Sequence, residues 1–227
     1  MAKAKPKDQI YDQENAAEVL GRTHITGYAG WPPPKNISQH LEVFADFVDS
    51  LLDDGTVLDL GCGDGSLDRI LASKNRKRKI TATDLEPHPQ WKLPHPKNLE
   101  FKAVSIYKLS YEPGSFDYIV LKDVLHHLPE PQKSLAHIAK IAKKGVVVIE
   151  ANRYNPISYV RMVKIAKHEH FSRRKLKRVI AKPADIYTFE THVWPASLEA
   201  PGKLVDWFFR LPILSRLRNY NVASFKP

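Results

Sequence analysis

Apolar positions recur along the chain in two rhythms. Leu41, Phe44, Phe47, Val48, Leu51 and Leu52 follow a helical spacing behind Asn36 or Ser38, either of which suits an N-cap, and predict a helix to about Leu52. Val57-Leu58-Asp59-Leu60 reads as a buried strand ending on a glycine loop. Leu67, Ile70 and Leu71 then continue as a helix, and Lys79-Ile80-Thr81-Ala82-Thr83 forms a second strand that ends at Asp84. Strands follow at Leu99 to Val104, Tyr118 to Leu121 and Val146 to Ile149. A helix from Pro131 carries Leu135, Ile138 and Ile141 on one face and is expected to stop at Lys143-Lys144-Gly145. This alternation implies an α/β fold, a doubly wound and mostly parallel sheet with helices on both faces. Ligands of such sheets sit beyond the carboxyl ends of the strands. Gly61 to Gly65, Asp84, Ser105, Lys122 and Glu150 all fall there.

The last third is less regular. It suggests helices at Ser158 to Lys167 and behind Ser172, a strand around Ile186 to His192, an amphipathic stretch at Lys203 to Leu217 and a final strand at Asn221 to Phe225. Residues 1 to about 14 are polar and Lys-rich and Trp31-Pro32-Pro33-Pro34 is a stiff loop before the first long helix, so residues 1–35 read as an N-terminal extension and residues 36–227 as one domain with a basic insertion at about 153–183.

Composition adjusts this picture in three places. A chain of 227 residues, 43% hydrophobic, can bury one sizeable core. The single cysteine, Cys62, excludes an intramolecular disulfide, and the charged start Met1 to Tyr11 lacks a secretory pattern, so a cytoplasmic setting is expected. The net charge of +10 favours an anionic partner or serves solubility alone. Nine Lys or Arg crowd Arg161 to Lys182, either as a solvated helix face or to capture an anionic substrate such as a phosphorylated lipid, a sugar nucleotide or RNA. Lys203 to Leu217 either lies on a membrane surface, peripherally, or packs beneath the last two strands.

Gly61, Gly63 and Gly65 follow a strand and precede a helix, so a ligand can approach the backbone closely. Asp84 ends the next strand nineteen residues after Gly65, where a carboxylate can accept both hydroxyls of a ribose. A dinucleotide fingerprint calls for glycine where Ser66 stands, and for no fixed negative charge beside the pyrophosphate, yet Asp59 and Asp64 flank the turn. Both details suit a ligand bearing an ammonium and a sulfonium and no phosphate.

The run Val57-Leu58-Asp59-Leu60-Gly61-Cys62-Gly63-Asp64-Gly65, then Asp84, then Phe116-Asp117-Tyr118-Ile119-Val120 and Val124-Leu125-His126-His127-Leu128-Pro129, resembles the class I methyltransferases. It is most similar to the small-molecule branch typified by the ubiquinone and menaquinone methyltransferases, over about residues 50 to 150. The resemblance implies a Rossmann-like seven-stranded sheet whose last strand is antiparallel, with S-adenosylmethionine as cofactor. It sets Asp59, Gly61 and Gly63 along the methionine half, Asp84 on the ribose, Leu85 against the adenine, Ser105 at the adenine amino group and Lys122 near the methionine end, with Cys62, Gly65 and Ile106 also in the cofactor site. Ser105 stands where the family usually has Asp. Lys122-Asp123 replaces small or apolar residues, and these two charges either pair with each other or contact substrate.

Methyl transfer from a sulfonium is an in-line displacement that a fold can catalyse largely by positioning. A general base is optional, and His126, His127 and Glu150 are the candidates, against packing of a helix start for the histidines and a capping or ion-pair role for Glu150. Asp123, Asn152, Arg153, Tyr154, His170, Arg173 and Arg174 are the expected acceptor-side residues. Pyrimidine C5 methylation needs a nucleophilic thiolate, and Cys62 sits in the cofactor loop. The Asn- or Asp-Pro-Pro-aromatic motif of amino methylation on DNA is replaced by Lys122-Asp123-Val124-Leu125. His168-Glu169-His170 has ligand types but no further partners in the sequence, so no metal site is expected. The favoured reading is a methyltransferase for a small-molecule or lipid-type acceptor; an RNA methyltransferase and a non-catalytic partner subunit of the same fold are the alternatives.

Overall fold

The computed structural model describes residues 37–165, 170–192, 194 and 198–227. The N-terminal extension, and with it Asn36, lies outside them. Helix α1 (Ile37–Asp49) leads to β1 (Thr56–Leu60), α2 (Ser66–Lys74), β2 (Lys79–Asp84), β3 (Leu99–Ala103), β4 (Phe116–Lys122), α3 (Pro131–Ala139) and β5 (Ala142–Ala151). A helical segment over residues 156–165 follows, wound as a π-helix at Tyr159–Ile165. Then come α4 (Arg173–Ile180), β6 (Asp185–Phe189), α5 (Glu199–Arg210), a 3-10 segment (Pro212–Leu217) and β7 (Tyr220–Phe225).

The seven strands lie in the order β3-β2-β1-β4-β5-β7-β6. The first five pair in parallel, and β7 slots between β5 and β6, antiparallel to both. The fold class expected from the sequence is therefore the one found, with β6 running parallel to the first five strands. Side chains alternate across the sheet. Leu58, Leu60, Ile119, Leu121, Val146 and Val148 face one way, onto Leu135 and Ile138 of α3 and Leu176 and Val179 of α4. Val57, Ile80, Val120, Val147, Ile149 and Val222 face the other, onto Phe44 and Val48 of α1 and Leu67 and Leu71 of α2. Burial on both faces explains why these strands read as nearly unbroken apolar runs.

Two boundaries differ from the sequence expectation. Lys143-Lys144-Gly145 does not end a helix: α3 stops at Ala139, and the three residues lie in the ten-residue β5. Gly145 is a packing glycine, since a Cβ there would stand 3.2 Å from the Tyr118 ring. The strand expected to reach His192 ends at Phe189, which frees Glu190 and His192 for side-chain contacts described below.

Polar side chains close the exposed ends of several elements. Asn98 Nδ2 donates to the carbonyls of Ala72, Asn75 and Arg78 behind α2. Arg78, 1% exposed, bonds the Asp49 carboxylate (2.5 Å) and the carbonyls of Leu52 (2.6 Å) and Asp53 (3.3 Å), tying the end of α1 to the start of β2. Arg78→Met keeps the apolar stem and strands those acceptors, which should cost about 2–4 kcal/mol in urea unfolding. A loss below about 0.5 kcal/mol, the range of ordinary surface changes, would show that solvent replaces the guanidinium without penalty.

Candidate active site

The turn from β1 into α2 is left-handed at three points: Gly61, Gly63 and Gly65 have φ of 86°, 57° and 72°. A Cβ on Gly61 would lie 2.4 Å from Val124 Cγ2, and one on Gly65 would lie 2.2 Å from the Phe101 ring. At Gly63 a Cβ would meet nothing within 4 Å, so the space over this residue is open to a ligand. Asp84 reaches the loop from the end of β2, accepting the Gly63 N–H (2.8 Å) at Oδ2 and the Leu85 N–H (2.7 Å) at Oδ1. Trp91 donates its indole N–H to the Gly63 carbonyl (2.9 Å) and stacks on Phe101. Asp64 Oδ1 accepts the Ser66 N–H (2.9 Å) at the start of α2, which puts a carboxylate where a phosphate would have to bind.

Acid is also buried under the loop. Asp59 and Asp68 are 3% and 0% exposed; burial first, then the charge of Asp68, holds the Asp59 carboxyl well above the usual carboxylate range, while burial raises Asp68 to about 6 against the opposing hydrogen bond with Asp59. A cation beside them lets the pair ionise. Burial, with Asp68, Asp59 and Asp84 around it, pushes the Cys62 thiol far up, so it offers no thiolate. Asp68 escaped the sequence reading because a single acid in the first turn of a helix looks like a solvent-facing dipole partner.

The remaining expected residues sort by what they touch. Lys122 Nζ pairs with Asp123 Oδ2 (2.7 Å) and lies over the Phe44 and Tyr220 rings. Asp123 is held in a left-handed conformation (φ 55°), and its Oδ1 accepts the Ala151 N–H (3.2 Å), so the two charges engage each other and the frame. Ser105 Oγ caps the next turn, accepting the Tyr107 N–H (3.3 Å), and Ile106 packs against the core. Asn152 donates to the carbonyls of Arg216 (2.9 Å) and Arg218 (2.7 Å), so its amide joins the 3-10 segment to the end of β5. Arg153 stacks on Tyr159, Tyr154 is exposed, Arg173 donates to the Ile186 carbonyl (3.3 Å), and Arg174 is exposed on α4. Of His168-Glu169-His170, only His170 lies within the described residues.

His126 and His127 sit in a one-turn 3-10 segment before α3, not at the start of a longer helix. Glu150, fully buried at the end of β5, accepts the Leu125 N–H (2.7 Å) with Oε1 and faces His126 Nδ1 (2.7 Å) with Oε2. The His126 ring centroid is 3.9 Å from that of His127 and 4.5 Å from that of His170. Glu150 thus orients an imidazole at the carboxyl edge of the sheet, one strand over from the glycine loop.

Residues 58–149 match the model of the methyltransferase domain family. The stretch from β1 to β5, glycine loop and Asp84 included, is therefore similar to a methyltransferase domain. The chain is 31% identical over 112 residues to a ubiquinone biosynthesis O-methyltransferase of Dechloromonas aromatica, covering 46% of this chain and 47% of that protein. A second enzyme of that name, from Xanthomonas euvesicatoria, is 29% identical over 75% of this chain and 76% of its own. An uncharacterised methyltransferase of Schizosaccharomyces pombe is 23% identical over 63% of this chain and 51% of its own. The chain spans about half the length of the Dechloromonas and Schizosaccharomyces relatives. Among solved structures, the plantazolicin methyltransferase in complex with SAH shares the fold of this chain with a TM-score of 0.64 at 13% identity, over 97% of this chain and 93% of that one. A methyltransferase in complex with the Haloferax volcanii Trm112 activator does so with a TM-score of 0.62 at 16% identity, over 94% and 96%.

Burial lowers the proton affinity of His126, but the Glu150 carboxylate outweighs it and holds the imidazole above its ordinary value of 6.5. The stability this pair contributes is complete below the unfolded value near 6.5 and is lost as pH rises through the folded value. In Glu150→Gln the burial remains and the main attraction goes, leaving that of Asp123 opposed by Lys122, so the NMR titration midpoint of His126 should fall. A midpoint unmoved by the substitution would mean that another group governs the ring.

Proposed function

We propose that this domain is an S-adenosylmethionine-dependent methyltransferase acting on a hydroxyl of a small, apolar or lipid-type acceptor. The observation that carries the cofactor is the open, left-handed turn at Gly63 with the Asp84 carboxylate at its back and the Asp59–Asp68 acid pair beneath. When bound, S-adenosylmethionine supplies an electrophilic methyl group. Gly61, Gly63 and Gly65 let the backbone approach it, Asp84 retains lone pairs for ribose hydroxyls, and the buried acids favour its positive charge while disfavouring a pyrophosphate. His126, held at Nδ1 by Glu150, takes the acceptor's proton on its other ring nitrogen as the in-line displacement proceeds.

Support for the acceptor class comes from α5 and the 3-10 segment after it. The inner side of α5 carries Gly202, Asp206 and Phe209, whereas Leu204 (65%), Trp207 (59%), Phe208 and, in the next segment, Ile213 (88%) are exposed. Bonds from Asn152 and Asn155 to the carbonyls of residues 216–218 hold this apolar surface at the carboxyl edge of the sheet. Lys203, Arg210 and Arg216 are exposed beside it, an arrangement that suits an anionic lipid surface from which an acceptor is drawn. No helix among the described residues is long and apolar enough to cross a membrane. The O-methyltransferase names of the Dechloromonas and Xanthomonas relatives agree with a hydroxyl acceptor.

Methyl-labelled S-adenosylmethionine incubated with the protein and either a lipid extract or total RNA should deliver label to the lipid fraction. Asp84→Ala should weaken cofactor binding by about 1.5–3 kcal/mol, roughly ten- to 150-fold. Transfer should rise with pH through the His126 midpoint, because only the neutral imidazole accepts a proton. Label in RNA would reverse the acceptor assignment, and labelling of neither fraction by a protein that still binds cofactor would favour a non-catalytic subunit.

A further inference from the structure

Beyond β6 the chain buries a second set of ionisable groups that the methyl-transfer reading does not use. Glu190 and His192 follow the strand, and Asp206 comes from the inner side of α5. His192 Nδ1 lies 2.7 Å from Glu190 Oε1 and 3.1 Å from Asp206 Oδ1, with side-chain exposures of 4%, 1% and 12% in that order. One donor atom from each of the three falls within 4.8 Å of the others. Their surroundings fix all three in place. The Asn219 N–H donates to Glu190 Oε2 (2.8 Å), and the Trp194 indole N–H donates to Asp206 Oδ1 (3.1 Å). Trp194 also lies across Gly202, where a Cβ would come within 2.3 Å of its ring, so the tryptophan walls the group on the α5 side.

Two carboxylates closed around one imidazole hold more negative charge than a single proton cancels, and burying uncompensated charge is costly. A divalent cation cancels both. Bonds of about 2.0–2.2 Å set the donors of one ion roughly 3–4 Å apart, so modest rotations of these side chains open the space for it. The hydrogen bonds from Asn219 and Trp194 are of the kind that orient ligating carboxylates. One imidazole nitrogen with two carboxylates suits a first-row transition ion of the Zn2+, Co2+ or Mn2+ type, whereas Ca2+ and Mg2+ prefer oxygen alone.

We propose that Glu190, His192 and Asp206 form a binding site for one divalent transition-metal ion, Zn2+ being the best fit, which clamps α5 onto the end of β6. The site is separate from the His126–Glu150 pair. Glu150 belongs to β5 and Glu190 follows β6, with β7 between them, a separation of about 10 Å at the usual strand spacing. Its consequence is mechanical: the ion holds the inner side of the helix whose outer side presents Leu204, Trp207 and Phe208.

Full-length protein stripped with a chelator is titrated with Co2+, followed by visible d–d absorption, and then with Zn2+ as competitor. One equivalent should bind saturably, Glu190→Gln and Asp206→Asn should each weaken binding at least tenfold, and His126→Gln should leave it within twofold. X-ray absorption of the Zn2+-loaded wild-type protein should show a single imidazole nitrogen among oxygen ligands, a readout that stands even if a variant fails to fold. Absence of stoichiometric binding overturns the proposal and leaves the group as an imidazolium between carboxylates. So does binding indifferent to Glu190 and Asp206, or a spectrum with two or more imidazoles, which would put the ion at His126 and His170.

Discussion

The left-handed passage of the chain through Gly61, Gly63 and Gly65 is the constraint on which the rest of the site depends. It lets β1 turn into α2 within five residues, and it brings the loop so close to Val124 and Phe101 that side chains at Gly61 or Gly65 would collide. Only then can Asp84, from the neighbouring strand, reach the Gly63 N–H and Trp91 the Gly63 carbonyl. The turn is thus held from β2, β3 and the segment after β4 at once, so a ligand above Gly63 meets a preformed surface, with little ordering left to do on binding.

Electrostatics gives that surface its preference. In a chain of net charge +10, the cofactor loop collects Asp59, Asp64, Asp68 and Asp84. Asp59 and Asp68 are kept from full ionisation by burial, while Asp64 occupies the amide at the start of α2 that a dinucleotide would use for its pyrophosphate. The same economy of position recurs along the carboxyl edge, where Glu150 orients His126 and Glu190 meets His192. Each acid there stands at or just past the end of a parallel strand, and sheets of this kind present their ligand sites at that edge.

Much of this was legible in the sequence because parallel strands buried on both faces leave unbroken apolar runs, and because glycine at left-handed positions has few substitutes. Val57 to Gly65, Asp84 and the Glu150 position emerge from those two signals alone. Long-range partners did not. Nothing near Asp68 in the chain reveals that it faces Asp59, and Glu190, His192 and Asp206 meet only because β6 ends at Phe189 and α5 folds back over it. The Lys143-Lys144-Gly145 boundary misled for a related reason: glycine behind lysines looks like a helix stop, and the Tyr118 ring that makes Gly145 a packing residue comes from a different strand. The basic run Arg161 to Lys182 looked uniform as sequence, yet Arg173 bonds a backbone carbonyl, Lys175 covers Phe171 and Arg174 is exposed.

A glycine loop ringed by these acids should select a cationic, phosphate-free nucleoside ligand. Parallel calorimetric titrations with S-adenosylmethionine and with NAD test this selectivity most directly. S-adenosylmethionine should fill one saturable site and NAD should give no measurable heat of binding, whereas NAD binding in place of S-adenosylmethionine would refute that selectivity.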